Sequence, residues 1–157
     1  MRWARLLAAV FFTWTAGRGL QALLFFENSP GFRFYDAVGT PERHFLYGLP
    51  ETLAAGITAV PLWRASPRSV AFALVAALVL AVGGVLETAD VSANLEIARS
   101  SYAASREARG LSTPSPEAMA SMFSPGGVSV LRAVGVVLPV GAAILALLGG
   151  LDRTSEA

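Results

Sequence analysis

Four charged side chains interrupt or adjoin long apolar stretches of the chain, and they are the residues best suited to chemistry there. They are Arg18, Glu51, Glu87 and Arg132. A charged group inside a membrane helix is costly, so it usually faces a partner, a cavity or a substrate pathway. Two carboxylates and two guanidinium groups in one membrane segment therefore indicate either internal ion pairs or a polar pocket.

Arg18 and Glu51 fall at similar depths in two consecutive predicted helices. Arg18 lies about eight residues, roughly 12 Å, before the end of a helix predicted for residues 4–26. Glu51 lies about six residues, roughly 9 Å, after the start of a helix predicted for residues 45–63. The matching depths predict an ion pair between the two side chains.

Helical spacing places further polar and aromatic side chains beside these charges. Trp14 and Gln21 share a face with Arg18, and Tyr47 shares a face with Glu51. Glu87 and Arg132 approach from the same side of the membrane, whereas His44 is expected to be an interfacial residue. The candidate ligand-binding residues are therefore Arg18, Glu51, Trp14, Gln21, Tyr47, Glu87 and Arg132. No catalytic residue is assigned, and no metal site is predicted.

This charge cluster has two interpretations. Charges of balanced sign can pair with one another and fix the register of the helices without any ligand. Alternatively, they line a pocket in which an arginine holds an anionic or carbonyl-bearing ligand, such as a quinone headgroup, and Glu51 exchanges protons. The residues alone leave both interpretations open.

The elements that position these residues are four apolar stretches, each close to the roughly 20 residues that a spanning helix needs. The composition agrees, because 54% of the 157 residues are hydrophobic, only 15% are charged and the mean hydropathy is +0.56. We therefore expect an all-α integral membrane four-helix bundle, a single transmembrane domain over residues 1–157. The predicted helices span about residues 4–26, 45–63, 70–88 and 128–151.

The loop between the third and fourth helices, residues 89–127, is expected to lie outside the membrane and to be partly helical. Its first half has no proline or glycine, so the third helix should continue until Gly110. Ser115 and Pro116 then predict the N-cap and first residue of a short helix. The sequence Ser124-Pro125-Gly126-Gly127 should end that helix before the fourth spanning helix.

Arginine placement predicts the orientation of the helices. Arginines are dense in the short segments Met1–Arg5 and Trp63–Arg68, whereas the opposite loops are longer and rich in acidic residues. Short basic segments stay on the cytoplasmic side. We therefore expect a multi-pass protein of the bacterial inner (plasma) membrane with both termini in the cytoplasm.

The composition excludes several kinds of chemistry. The chain has no cysteine, so it has no thiolate nucleophile, no disulfide exchange and no cysteine-held iron–sulfur cluster. With one histidine, it cannot supply two histidine ligands to a haem. The net charge of +1 and the scattered arginines give no indication of nucleic-acid binding.

One segment resembles a known family. Gly39-Thr40-Pro41, the run Leu49-Pro50-Glu51-Thr52-Leu53-Ala54-Ala55-Gly56 and the later Arg64 are similar to the second-helix region of DoxX-like proteins. The resemblance covers roughly residues 1–85 and implies a small four-helix inner-membrane protein, with Glu51 as the position of interest. It also implies an association with quinone-linked or sulfur oxidoreductase systems. The long loop between helices three and four departs from the compact form of that family.

Three functions are compatible with these features. The first is a ligand-binding subunit or accessory protein of an oxidoreductase system, with no cofactor of its own but a quinone as a possible ligand. The second is a proton-linked small-molecule transporter, and the third is a structural subunit of a membrane complex. The expected partners are the lipid bilayer and either other membrane subunits or further copies of the chain.

Overall fold

The computed structural model describes residues 2–151, and this part of the chain contains helices and connecting turns but no strand. A short 3-10 turn, Phe26–Asn28, follows the first helix. The seven α-helices of the described residues are α1 (Arg2–Leu24), α2 (Pro30–Ala37), α3 (Glu42–Trp63), α4 (Ser69–Ala93), α5 (Leu95–Ala108), α6 (Pro116–Met122) and α7 (Pro125–Leu151).

The long helices α1, α3, α4 and α7 run alternately up and down and pack in a ring. Helix α1 contacts α3 and α7, and α4 contacts the same two helices from the other side. Three of them, α3, α4 and α7, are long and apolar enough to cross a membrane. We call the end of the ring that carries Arg2, Trp63 and Ser69 the terminal end, and the opposite end the cap end.

The terminal half of the ring is tightly packed because its core is built mainly from alanine. The core residues in this half are Ala8, Ala9, Phe12, Ala55, Ala59, Leu62, Ala73, Ala76, Ala77, Leu80, Ala142, Ala143 and Ala146. Small side chains let helix backbones approach closely, as is usual between membrane helices. At Gly149 an added Cβ would meet the Arg5 backbone, so α1 and α7 are in direct contact there.

The cap end is covered by the short helices α2, α5 and α6. Phe34 and Tyr35 of α2 and Ala98 of α5 form a second apolar cluster, against which Phe123 packs from the end of α6. The Ser105 hydroxyl donates a hydrogen bond of 2.6 Å to the carbonyl of Asn28, joining α5 to the 3-10 turn. The cap therefore closes one end of the ring.

The expected continuation of the third helix is interrupted at Asn94. This residue has φ −140° and ψ 50°, outside the helical region, and it separates α4 from α5. Its side-chain amide donates to the carbonyl of Asp90 at 3.2 Å. Asparagine competes with the helical backbone for such bonds, which accounts for the break. The second helical segment ends as the sequence predicts, with Gly110 at φ +66°.

Two helix starts also differ from the sequence prediction. Residues 30–37, for which the sequence analysis predicts no helix, form α2, with Pro30 in its first turn. The Ser124-Pro125-Gly126-Gly127 segment does separate α6 from α7, but the proline and both glycines belong to α7. The Ser124 hydroxyl accepts a hydrogen bond from the backbone N–H of Gly127 at 3.0 Å, as an N-cap does.

Candidate functional site

A cavity of about 490 Å³ occupies the cap half of the ring, between the alanine core and the cap. All four long helices and the segment leading into α2 contribute to its wall. Its polar lining residues are Thr15, Arg18, Ser29, His44, Glu51, Thr52 and Glu87. The volume lies within the roughly 300–1,000 Å³ of pockets that hold small molecules.

Glu51 points across the cavity from α3 towards α4. A Cβ added at Gly83 would collide with the Glu51 carboxyl group, so the absence of a side chain at Gly83 makes room for it. The Oε1 atom of Glu51 is buried and has no hydrogen-bond partner within residues 2–151. A buried polar atom without a partner destabilises a fold by about 1–3 kcal/mol. The Glu51 side chain lines the cavity, while its Oε1 atom is buried beside Gly83 on α4.

Glu87 lies where the cavity meets a second, smaller pocket. This pocket measures about 140 Å³, and its lining includes Phe34, Tyr35 and Tyr102 from the cap. Gly31 and Glu87 line both spaces. The Glu87 carboxyl group therefore separates the Glu51 cavity from an aromatic pocket under the cap.

His44 is a cavity residue rather than the interfacial residue expected from the sequence. Only 6% of its surface is exposed. Its Nε2 atom lies 3.2 Å from the carbonyl oxygen of Ala22 on α1. A carbonyl oxygen can only accept, so Nε2 carries the hydrogen, and in the neutral ring Nδ1 is left as an acceptor. The cavity thus combines two carboxyl groups with an imidazole.

Arg18 lines the cavity but does not pair with Glu51. Both residues belong to the described part of the chain, and no ion pair joins them. Arg18 is exposed, donates to the side chain of Gln21 at 3.3 Å and lies 5.9 Å from the centre of the Trp14 ring. The reason is geometric: the Glu51 carboxyl group reaches away from α1 towards Gly83, while the long arginine side chain extends along α1 towards the cap.

Three other predicted site residues lie outside the cavity. Tyr47 packs edge-to-face with Tyr35, with ring centres 6.0 Å apart, beneath the cap. Arg132 donates to the hydroxyl of Thr88 at 3.0 Å and to that of Ser92 at 3.3 Å. Gln21 accepts from Arg18 and lines a separate surface pocket. The structure therefore brings together Arg18, Trp14, Glu51 and Glu87, but not Gln21, Tyr47 or Arg132.

The mouth of the cavity lies between α1 and α7. Trp14 and Arg18 of α1 and Leu138 of α7 are the lining residues classed as exposed, and Trp14 is 66% exposed. The remaining lining residues are buried or half-buried. A ligand would therefore pass between a tryptophan ring and a leucine to reach Glu51.

An ion pair that sequence reasoning missed ties the cap to the ring. Arg43 of α3 donates to Asp90 of α4 at 2.9 Å, and the Tyr35 hydroxyl donates to the same carboxylate at 3.3 Å. Burial, together with the nearby carboxylates of Glu87 and Asp90, raises the pKa of Tyr35. The phenol therefore stays protonated at neutral pH and remains a donor. No spacing in the sequence relates positions 35, 43 and 90, so only the fold reveals this contact.

The chain matches no protein-family model, no curated protein and no solved structure.

Proposed function

We propose that this chain is a four-helix inner-membrane protein that binds a lipid-soluble molecule with a quinone-like headgroup in the Glu51 cavity. It would act as a subunit or accessory protein of an oxidoreductase system. The headgroup would lie beside Glu51 and His44, and its apolar tail would leave through the mouth beside Trp14 and Leu138. A DoxX-like origin, which the residues around Glu51 suggest, is compatible with this role.

The observation that carries the proposal is the carboxyl group of Glu51, a residue that lines a cavity of about 490 Å³ and whose Oε1 atom has no hydrogen-bond partner among the described residues. A carboxyl group accepts hydrogen bonds when it is ionised, and it also donates one when it is protonated. The hydroxyl groups of a reduced quinone (a quinol) are donors, and the acceptor nitrogen of His44 can take a second hydroxyl. The cavity can therefore bind a quinol through its hydroxyl groups, and a protonated Glu51 can donate to a carbonyl oxygen of the oxidised quinone.

A proton-linked transporter is less well supported. A substrate crossing the membrane would need a second route through the terminal half of the ring. There the alanine core brings the helices together, and Gly149 touches the Arg5 backbone. The cavity is therefore closed on that side.

The proposal includes a topology with the termini in the cytoplasm and the cap on the opposite side of the membrane. Reporter fusions at Ala157 and at Pro114 should give opposite signals, with the cytoplasmic signal at Ala157. The reason is the dense arginine of the segments at the terminal end. Identical signals at both positions would contradict the four-span arrangement.

Binding can be measured by the fluorescence of Trp14, which lies at the mouth. The chain has three tryptophans, so Trp3→Phe and Trp63→Phe leave Trp14 as the single indole reporter. Titration with short-chain ubiquinol should quench this fluorescence saturably. Glu51→Gln should weaken binding by about tenfold, as expected when a buried group is left without a hydrogen-bond partner at a cost of about 1–3 kcal/mol.

The matched control is Glu42→Gln, which changes an exposed glutamate at the start of the same helix. Its dissociation constant should equal that of the unchanged protein. Quenching that rises linearly without saturation, or that is the same in the Glu51→Gln and Glu42→Gln variants, would refute binding at Glu51.

A further inference from the structure

A third pocket, distinct from the Glu51 cavity and from the aromatic pocket under the cap, is lined by two arginines and no acidic residue. It lies on the surface where α1, the 3-10 turn and the end of α5 meet, and its volume is about 70 Å³. Its polar lining residues are Arg18, Gln21, Asn28, Ser29 and Arg109. Each of these side chains can donate hydrogen bonds, which makes the pocket suitable for an anion.

Most of the donors in this pocket remain free. Arg18 uses one terminal nitrogen, which donates to Gln21. Arg109 uses only its Nε atom, which donates to the carbonyl of Ser105 at 3.1 Å. Among the described residues, neither arginine forms an ion pair. Two guanidinium groups with free terminal nitrogens can each bind a phosphate through two parallel hydrogen bonds.

The position and size of the pocket favour a phosphate that belongs to a lipid. A pocket of about 70 Å³ holds one charged group and leaves the rest of its molecule outside. Phe25 lines the pocket and is 65% exposed, and α1 presents Leu24 and Leu20 beside it as further exposed apolar side chains. The pocket lies at headgroup depth if α1 spans the membrane, because Asn28, Ser29 and Arg109 come after the end of α1, and the long Arg18 side chain reaches it from a position six residues, roughly 9 Å, before that end.

We infer that Arg18 and Arg109 form a binding site for the phosphate of an anionic phospholipid at the cap end of α1. The inference rests on the membrane-spanning part of the proposed function but not on the ligand in the Glu51 cavity. The acyl chains would lie along the exposed face of α1. Because Arg18 also lines the cavity mouth, the bound lipid would border the route to Glu51.

Native mass spectrometry of the purified protein can test this site with three probes. These are phosphatidylglycerol, phosphatidylcholine and inorganic phosphate. The protein should retain phosphatidylglycerol in preference to phosphatidylcholine, and inorganic phosphate at the same concentration should not displace it. Arg109→Gln should reduce phosphatidylglycerol occupancy by about fivefold or more, which corresponds to one arginine at a lipid surface.

Arg99→Gln is the matched control, because Arg99 lies on the same helix, ten residues before Arg109, and outside this pocket. Unchanged lipid retention in the Arg109→Gln variant would overturn the inference, as would equal retention of the two lipids. Displacement of phosphatidylglycerol by inorganic phosphate would also overturn the inference, because it would show that the pocket binds a free anion rather than a lipid. Quinol binding to the Arg109→Gln variant should be unchanged, so failure here is distinguishable from failure of the Glu51 proposal.

Discussion

Replacing Leu62 by alanine should lower the free energy of unfolding by about 2–5 kcal/mol. Leu62 is fully buried in the alanine core of the terminal half. The neighbouring alanines have no side chain long enough to fill the space that the substitution leaves. If the helices span a membrane, as proposed, the loss is mainly one of packing contacts rather than of water exclusion.

Leu53→Ala is the matched control, because Leu53 is on the same helix and 53% exposed. Its side chain exchanges contacts with lipid or detergent, so we expect a change well below that of Leu62→Ala. Thermal unfolding in detergent, followed by circular dichroism, measures both variants. Equal destabilisation by the two substitutions would show that α3 presents a different face to the core.

Replacing Glu51 by leucine should have the opposite effect on stability while removing binding. The substitution removes a buried carboxyl oxygen that has no partner and places an apolar side chain of similar volume in the cavity. We expect a gain of about 1–3 kcal/mol, the penalty of leaving a buried polar atom unsatisfied. Quinol binding should be lost, the trade-off between stability and function that is common at binding sites.

A stability measurement without ligand separates this expectation from a structural role of Glu51. If the carboxyl group held the helices together, Glu51→Leu would destabilise the protein. Glu42→Leu, at an exposed position, should change stability by no more than about 0.5 kcal/mol. A melting temperature that falls for Glu51→Leu would count against a vacant ligand site.

The sequence predicted the helical class because the apolar runs are long and carry few charges. It also predicted the start of α6, where the Ser115 hydroxyl accepts a hydrogen bond from the N–H of Ala118 at 3.2 Å. Hydrogen bonds from its own backbone N–H and from the Ser115 side chain lower the pKa of Glu117 in the first turn of this helix. These features depend on neighbours in the chain, which is why they can be read from sequence.

Helix α2 was missed although its start carries the same signal. Ser29 and Pro30 repeat the pattern of Ser115 and Pro116, but the helix that follows has only eight residues and a mixed composition. The Ser29 side chain makes no capping hydrogen bond there. Ser29 and Pro30 therefore indicate where a helix can start. Whether the eight residues that follow form a stable helix depends on their packing in the cap, which the sequence does not give.

The candidate site could be predicted only in part. The depth of a charge follows from residue counting, which predicts similar depths for Arg18, Glu51 and Glu87, and these three residues line one cavity. The direction of each side chain depends on the packing of all four helices, which counting does not give. Glu51 therefore reaches Gly83 instead of Arg18, and His44 faces the cavity instead of the interface.

Photoaffinity labelling tests the central claim, a ligand site at Glu51 that opens between α1 and α7, most directly. A short-chain azidoquinone would be reduced, bound to the purified protein and activated by light, and the adducts would be located by mass spectrometry. We predict adducts within residues 11–23 and 44–52, which supply most of the cavity wall, and their suppression by excess unlabelled quinol. Adducts on exposed residues of α4 such as Leu74 and Leu78, unaffected by the competitor, would contradict the claim.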